Sequence, residues 1–437
     1  MNRRIPMRRH KLLAAALALL IACAPLSLCI GAVSDAAEAE NAVETISIDS
    51  AAAFADFAAQ CKTDTWSQGK HFVLTADINL TGIEFDSIPT FGGTFDGGGH
   101  TISGLALKSN RTHVGLFRYV QAEGIVRGLR VLGVVTPTGD ARSVGGIAGE
   151  NRGLIEACRF SGTVVGDTNV GGIAGTMSRE NNLDPEDDLN LSSDNATLNV
   201  RYKERIVIRE CYNSGKVEGK KECAGGIVGE MTLGSIISSM NTGSISGDED
   251  KVGGIAGESK GTIRKSSSKC ALSGDNQIGG IAGKGKTITD CYSMIEIQEG
   301  NYYLGSIAGQ IDDSGTVENN YFVEGCPPGI DGISLEGEAQ PASYDEFLEL
   351  PDIPDSFRSI HLTFMADDSQ VDRITINYGE SFDIARLPEV PEKDGYSGVW
   401  EDFSQENITF DQTIEAVYTE YITTLEANLD GTKLPKL

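Results

Sequence analysis

A six-residue phrase recurs through the middle of this 437-residue chain. It reads VGGIAG at 144–149, 170–175 and 252–257, AGGIVG at 224–229, IGGIAG at 278–283 and LGSIAG at 304–309. Successive copies start 26, 54, 28, 26 and 26 residues apart. A fixed period of this length is typical of a solenoid, in which each repeat packs mainly against its neighbours. We therefore do not expect one conventional globular core.

Each repeat unit contains three short apolar runs. In 144–169 these are GIAG, LIEACRF and GTVVG, separated by Gly, Asn and Asp. Apolar runs with β-branched residues between turn formers are typical of strands. Three strands per coil, with coils about 4.8 Å apart, predict an all-β fold, a right-handed parallel β-helix. We expect Val144, Ile147 and Ile155 to stack in ladders inside it.

The glycines of the phrase are expected to allow positive φ and close backbone approach at the corners. They are Gly145, Gly146, Gly149, Gly171, Gly172, Gly175, Gly225, Gly226, Gly229, Gly253, Gly254, Gly257, Gly279, Gly280, Gly283, Gly305 and Gly309.

The step of 54 residues is two periods long, and it contains a polar, acidic stretch over 176–205. We interpret it as one coil that carries a long surface loop, rather than a degenerate coil. A long loop on a repetitive scaffold is a common place for function. A tolerated disordered insertion is the alternative.

The pattern GGIAGENRGLIEAC over 145–158 resembles the GLUG repeat of bacterial surface proteins. A lead-in typical of that family precedes it, with LTADINLTG at 74–82, FGGTFDGGGHTISGL at 91–105 and HVGLF at 113–117. The lead-in residues of interest are Asp77, Asp96, Gly97, Gly99 and His100. The resemblance covers roughly residues 66–323, and we expect the β-helix to extend over 44–323. Some immunoglobulin-A-cleaving zinc metallopeptidases also carry GLUG repeats, but their His-Glu-x-x-His motif is absent from this sequence.

The two ends of the β-helix are expected to be covered. Residues 46–62 predict a short amphipathic helix, with Ser50 as its N-cap and Phe54, Phe57, Ala58 and Cys61 on one face. Such a helix would cap an end that otherwise exposes strand edges. Residues 324–358 are acidic and contain five prolines, which is typical of a linker or cap.

Residues 359–421 resemble the internalin-type B repeat, a small β-grasp-like module. The matching positions are Gly379, Pro388, Pro391, Gly395, Tyr396, Trp400, Ala416 and Tyr418. The resemblance implies a spacer or interaction unit on a cell-surface protein. Residues 422–437 are interpreted as a tail.

The N-terminus predicts export. Residues 1–39 combine a basic start, an apolar core and small residues, which is typical of a secretory signal peptide. Lipidation at Cys23 is the alternative. Because no second apolar run exists in the sequence, we expect no transmembrane helix after signal removal, and an extracellular or cell-surface location.

The formal charge of −27 argues against nucleic acid and anionic membranes as partners. No cofactor is predicted. Calcium at the clusters Asp184/Glu186/Asp187/Asp188 or Asp248/Asp250 is the weaker alternative to a solvated acidic surface.

Seven cysteines follow the signal, and an odd number cannot all pair within one chain. Cys158, Cys211 and Cys291 occupy a repeat position that is Ser239, Ser266 and Asn320 in other coils. We interpret them as buried thiols in a stack. A bond between Cys158 and Cys211, on adjacent coils, is a hypothesis.

Catalytic constellations are missing from the sequence. There are five histidines and no His-Glu-x-x-His, and Asp77 and Asp96 are expected to hold turns. The sequence therefore favours a non-catalytic binding or adhesion protein for glycans or host matrix. A passive stalk and a carbohydrate-active lyase or hydrolase are the alternatives. Five tyrosines are either sugar-stacking residues or a structural ladder: Tyr212, Tyr292, Tyr321, Tyr302 and Tyr303.

Overall fold

The computed structural model describes residues 44–178, 206–367 and 369–421, and the backbone of 428–429 and 432–433. The signal peptide, most of the predicted 176–205 loop, the acidic cluster 184–188 and most of the tail lie outside these residues. Helices within the described part are Ala51–Gln60 and Tyr344–Leu348, with 3₁₀ turns at Asp355–Arg358 and Ile384–Arg386. No helix in that part is long and apolar enough to cross a membrane.

The chain folds into a parallel β-solenoid of about nine turns, which confirms the predicted fold class. Each complete coil contributes to three faces, which we call long, side and narrow. The long face has two stacks of strands. The first contains Ile88–Phe91, Phe117–Val120, Ala148–Asn151, Ala174–Met177, Val228–Met231 and Ala256–Ser259; the second contains Thr45–Ile48, His71–Leu74, Thr94–Asp96, Ile125–Arg127, Leu154–Glu156, Val207–Arg209, Ser235–Ile237 and Thr262–Arg264. The strands Ala282–Thr289 and Ala308–Glu318 run through both stacks.

The other two faces are single stacks. The side face contains Ile78–Asn79, Thr101–Leu107, Arg130–Val135, Arg159–Gly166, Tyr212–Asn213, Lys216–Gly219, Met240–Asn241, Ile245–Gly247, Ser267–Ser273, Tyr292–Glu299, Asn320–Val323 and Ala339–Ala342. The narrow face contains Arg142–Gly145, Thr168–Gly171, Ala224–Gly225, Val252–Gly253, Asn276–Gly279 and Tyr302–Gly305.

The strand register shows that the 54 residues between the phrases at 170 and 224 belong to a single coil. Val170 pairs with Ala224 on the narrow face, and Val207 lies between Leu154 and Ser235 on the long face. The strand Ala174–Met177 is an ordinary rung of this coil. The described coil therefore includes the first three residues of the predicted 176–205 loop, and the remaining residues of that loop lie outside the described part.

The core consists of ladders of identical positions. Val144, Ile147 and Ile155 are fully buried, as predicted. Ile147 donates its backbone N–H to Ile173 O of the next coil at 3.0 Å, and the same bond repeats from coil to coil. Each coil therefore gains its hydrogen bonds and its apolar contacts from the same two neighbours.

The expectation of positive φ at the phrase glycines was wrong. None of the seventeen has φ in the left-handed region; they are needed for space instead, because a Cβ on Gly145 or Gly253 would overlap a carbonyl oxygen of the same turn. Left-handed residues lie one position before each phrase and one before each Cys/Ser/Asn position. The first set is Ser143, Asn169, Cys223, Lys251, Gln277 and Tyr303, and the second is Ala157, Glu210, Ser238, Lys265, Asp290 and Asn319.

The helix Ala51–Gln60 covers the first coils. Ser50 caps it by accepting the N–H of Ala53 at 3.3 Å. Phe54 and Phe57 are buried, and the Phe57 ring lies 4.7 Å from that of Phe72 in the coil below. The aromatic layer closes this end of the core.

The C-terminal module is a mixed sheet in the order Ser369–Ile376, Ile360–Ala366, Gln412–Glu420, Tyr396–Trp400, and a short hairpin, Asn428–Leu429 with Thr432–Lys433, follows. Positions that carried the B-repeat resemblance meet here. Trp400 Nε1 donates to Pro388 O at 2.7 Å, and Tyr418 OH to Pro391 O at 2.9 Å.

The module packs against the side face of the solenoid. Phe347 and Phe357, from the segment between them, are fully buried with Met294 and Val323 of the solenoid. Lys269, only 2% exposed, donates to Ser359 O at 2.6 Å and to Asp411 Oδ1 at 2.8 Å.

Candidate functional site

Asp77 fastens two turns of the lead-in. Its Oδ1 accepts the backbone N–H of Thr101 at 2.9 Å and lies 3.1 Å from His100 Nδ1. The Thr101 bond, followed by the His100 contact, lowers the pKa of Asp77. This carboxylate holds the rung Ile78–Asn79 against the strand Thr101–Leu107, which is a structural task.

Asp96 holds the glycine turn beside it. Its Oδ1 accepts the N–H of Gly98 at 2.9 Å, and its Oδ2 pairs with Arg127 at 2.8 Å. Burial opposes ionisation, but these bonds outweigh it and lower the pKa of Asp96. Gly99 requires glycine through its φ of +79°, whereas Gly97 requires it because a Cβ would lie 2.6 Å from Gly128 O.

The structure separates the tyrosines into two sets. Tyr292 donates its OH to Pro351 O at 2.7 Å and packs edge-on against Phe347, while the Tyr321 ring lies 6.5 Å from Tyr292. Tyr212 OH lies 2.6 Å from Thr242 Oγ1. These three tyrosines therefore form internal contacts of the side face.

Tyr302 and Tyr303 have the opposite character. They are 71% and 45% exposed, at the start of the last narrow-face strand. Tyr303 is one of the left-handed corner residues, with φ of +59°. Because consecutive rungs fix this corner, both rings project from a rigid frame. We call it the tyrosine corner, made of Tyr302, Tyr303, Asn276, Gln277 and Asn301.

Two asparagines lie next to the rings, Asn276 on the neighbouring rung and Asn301 before Tyr302 in the chain. Asn276 pairs directly with Tyr302 in register and donates its Nδ2 to Asp250 Oδ1 at 3.0 Å. Its Oδ1 is buried and accepts no hydrogen bond from the described atoms. Asn301 Nδ2 donates to Asp275 Oδ1 at 2.5 Å, so the amides are oriented by neighbouring coils. Exposed aromatic faces beside oriented amides form a surface suited to a ligand with both C–H faces and hydroxyl groups.

A buried charged cluster was missed by sequence reasoning. Glu150 is 1% exposed and accepts from Arg152 Nε and Ser178 Oγ, both at 2.7 Å, and its Oε2 lies 3.7 Å from His113 Nε2. Tyr119 OH lies 3.1 Å from the other ring nitrogen of His113. Glu150 thus binds Ser178, the residue where the coil leaves the described part. Its only sequence signal was a charge directly after the apolar phrase at 144–149.

A second ion network contains Glu258, which directly follows its VGGIAG phrase as Glu150 does. Lys251 Nζ lies 2.8 Å from Glu222 Oε2 and 3.1 Å from Glu258 Oε2. Burial opposes the charge on Glu258, but its bond to Lys251 and that cation's charge lower its pKa. Ion pairs therefore stabilise the corner at Lys251. At the tyrosine corner, by contrast, the groups are neutral or anionic.

The cysteines and acidic groups form no metal site among the described residues. All seven described cysteines are free thiols. Cys158 and Cys211 each donate to a carbonyl two residues back at 3.3 Å, and burial, then the neighbouring Cys158 thiol, raises the pKa of Cys211. Burial likewise raises the pKa of Cys291 to about 12. Asp250, from the predicted calcium pair, is bound to Asn276.

No family model matches this chain. A stretch of 119 residues, 26% of the chain, is 32% identical to part of Halomucin from Haloquadratum walsbyi, and it spans 1% of that protein's length. A solved structure described as a candidate immunoglobulin A1 protease from Bacteroides ovatus matches with a TM-score of 0.44 at 19% identity. It covers 69% of this chain and 84% of the other. At these values the likeness bears on neither activity nor substrate.

Proposed function

We propose that this chain is an exported, non-catalytic binding protein that recognises a glycan at the tyrosine corner. The observation that carries the proposal is the pair of exposed rings, Tyr302 at 71% and Tyr303 at 45%, beside oriented amides. Ring faces stack on the C–H face of a pyranose, while amide and carboxylate groups bind its hydroxyls.

Rigidity supports this assignment. Tyr302 lies in a strand paired with Asn276–Gly279, and Gln277 Nε2 donates to Gln310 Oε1 of the next coil at 2.5 Å. A frame held by strand pairing loses little conformational entropy when it binds, which favours affinity.

Charge supports a neutral ligand. The formal charge of −27 disfavours nucleic acid and anionic membranes. A neutral sugar needs no countercharge, and calcium is not required by this proposal. In the same proposal, residues 1–39 direct export, with Cys23 lipidation as the alternative, and the C-terminal module is a B-repeat-like spacer at the cell surface.

The test is a glycan array probed with the full chain, with and without calcium, followed by titration of any hit. We expect Tyr302→Ala and Tyr303→Ala each to weaken binding at least tenfold. Tyr421→Ala is the matched control, since Tyr421 is 56% exposed in the C-terminal module, and it should leave affinity unchanged.

Three outcomes would overturn the proposal. Equal affinity in the corner and control variants would remove the corner as the site. Release of a cleaved sugar would make the protein an enzyme. No binding to any glycan on the array would favour a stalk.

A further inference from the structure

The last coil of the solenoid is incomplete on one face. Residues 324–342 cover the start of the last long-face strand, where Ile307 N donates to Gly329 O at 2.8 Å and Ala308 pairs with Ile330. They also continue the side face, where Ala339–Ala342 pairs with Asn320–Val323. On the long face, 316–318 pairs with 287–289 on one side. No described strand pairs with its other side. The outer edge of 316–318 is therefore open among the described residues.

A groove lies along this edge. It has a volume of about 370 Å³ and is lined by Ile311, Gly315, Thr316, Val317, Glu318, Ile330, Leu335 and Glu338. Leu335 is 36% exposed, and Ile333, beside it in the chain, is 58% exposed. An open strand edge beside apolar side chains such as Ile311 and Leu335 can accept one more extended segment, which supplies main-chain hydrogen bonds and alternate apolar side chains.

The rim of the groove is acidic. No lysine or arginine occurs from 287 to 357. The stretch 302–342 contains seven acidic residues: Asp312, Asp313, Glu318, Glu324, Asp331, Glu336 and Glu338. Of these, Asp312 is paired, with Lys284 at 3.3 Å. The segment that fits here carries positive charge, because opposite potentials favour association and like charges oppose it.

We propose that this slot, defined by 311–318 with Ile330, Leu335 and Glu338, binds one extended segment of a partner protein in which Lys or Arg alternates with apolar residues. A second copy of the chain would bring two acidic rims together. The chain's own residues 422–437 carry Glu426, Asp430, Lys433 and Lys436, so their charges cancel.

The test uses a fluorescent peptide of four Val-Lys repeats and the full chain, followed by anisotropy. We expect Glu318→Lys/Glu338→Lys to weaken binding at least tenfold. Glu389→Lys/Glu392→Lys makes the same change of charge on the C-terminal module and should have no more than a twofold effect. Leu335→Lys, a single change at an exposed position, serves as the second variant if the double change unfolds the protein. Peptide binding should also slow hydrogen exchange at Thr316, Val317 and Glu318.

Several outcomes would overturn the proposal. Equal weakening by the two charge reversals would mean binding to the overall charge, and no binding would remove the slot. Self-association abolished by Leu335→Lys would assign the slot to a second copy. Binding that appears only after deletion of 422–437 would assign it to the chain's own tail.

Discussion

Twelve non-glycine residues at the two corners of the repeat have left-handed backbone conformations. An L-residue costs about 1–2 kcal/mol there, and glycine does not. We expect Ser238→Gly, at φ of 48° and an exposed position, to raise the free energy of unfolding by about 0.5–1 kcal/mol, part of the gain being offset by the more flexible unfolded chain. Urea denaturation measures this change.

Ser246→Gly is the control, since Ser246 lies within a side-face strand. It should lower the free energy of unfolding by about 0.5–1 kcal/mol. The same sign for both variants would contradict the assignment of strain to the corner. Residue type alone could not reveal these corners, because Lys, Gln, Glu and Ala occupy them as well as Asn.

At the scale of the rung, a phrase glycine can be required for space within its own turn. A Cβ on Gly253 would overlap the backbone oxygen of Ala256, which cannot move without breaking a rung. We expect Gly253→Ala to lower the free energy of unfolding by about 3 kcal/mol. Gly325→Ala meets no atom within 4 Å and has φ of +97°, so it should cost about 1 kcal/mol. Equal losses in denaturation would contradict the packing explanation.

The repeat period and the alternation of apolar and polar residues were enough to predict the coil, the inward-facing ladders and the buried face of the capping helix. All three follow from the pattern of neighbouring residues along the chain. The lead-in aspartates also have the predicted turn contacts. The sequence could not decide which tyrosines are exposed and which make internal contacts. Tyr292 is engaged because a segment from 343–358 reaches it. Tyr302 is exposed in the last narrow-face strand, which no further described strand of that sheet covers. Both depend on contacts that the repeat does not encode.

At the scale of the whole molecule, a buried ion pair joins solenoid and module. Lys269 lies in the strand Ser267–Ser273, SSKCALS, where a lysine is expected to face solvent. Burial lowers its pKa, despite the opposing effect of Asp411. The pKa of Lys269 is thus lower in the folded protein than its unfolded value of 10.5. Below the folded pKa, the full cost of burying the charged ammonium destabilises the protein. As the pH rises from the folded pKa toward 10.5, the folded protein loses this proton before the unfolded chain does, so the free energy of unfolding increases.

We therefore expect Asp411→Asn to lower the free energy of unfolding by about 3 kcal/mol at pH 7, because it leaves a buried cation without its counter-charge. The amide can still accept from His361 N, now 2.7 Å from Asp411 Oδ1. Lys269→Met should change stability by less than about 1 kcal/mol, and the double variant should recover most of the Asp411→Asn loss. Urea titrations at pH 7 and 9.5 measure both effects, and the Asp411→Asn loss should shrink at the higher pH. Additive losses in the double variant would mean that the two side chains act independently, and the docking of the module would then rest on its apolar contacts alone.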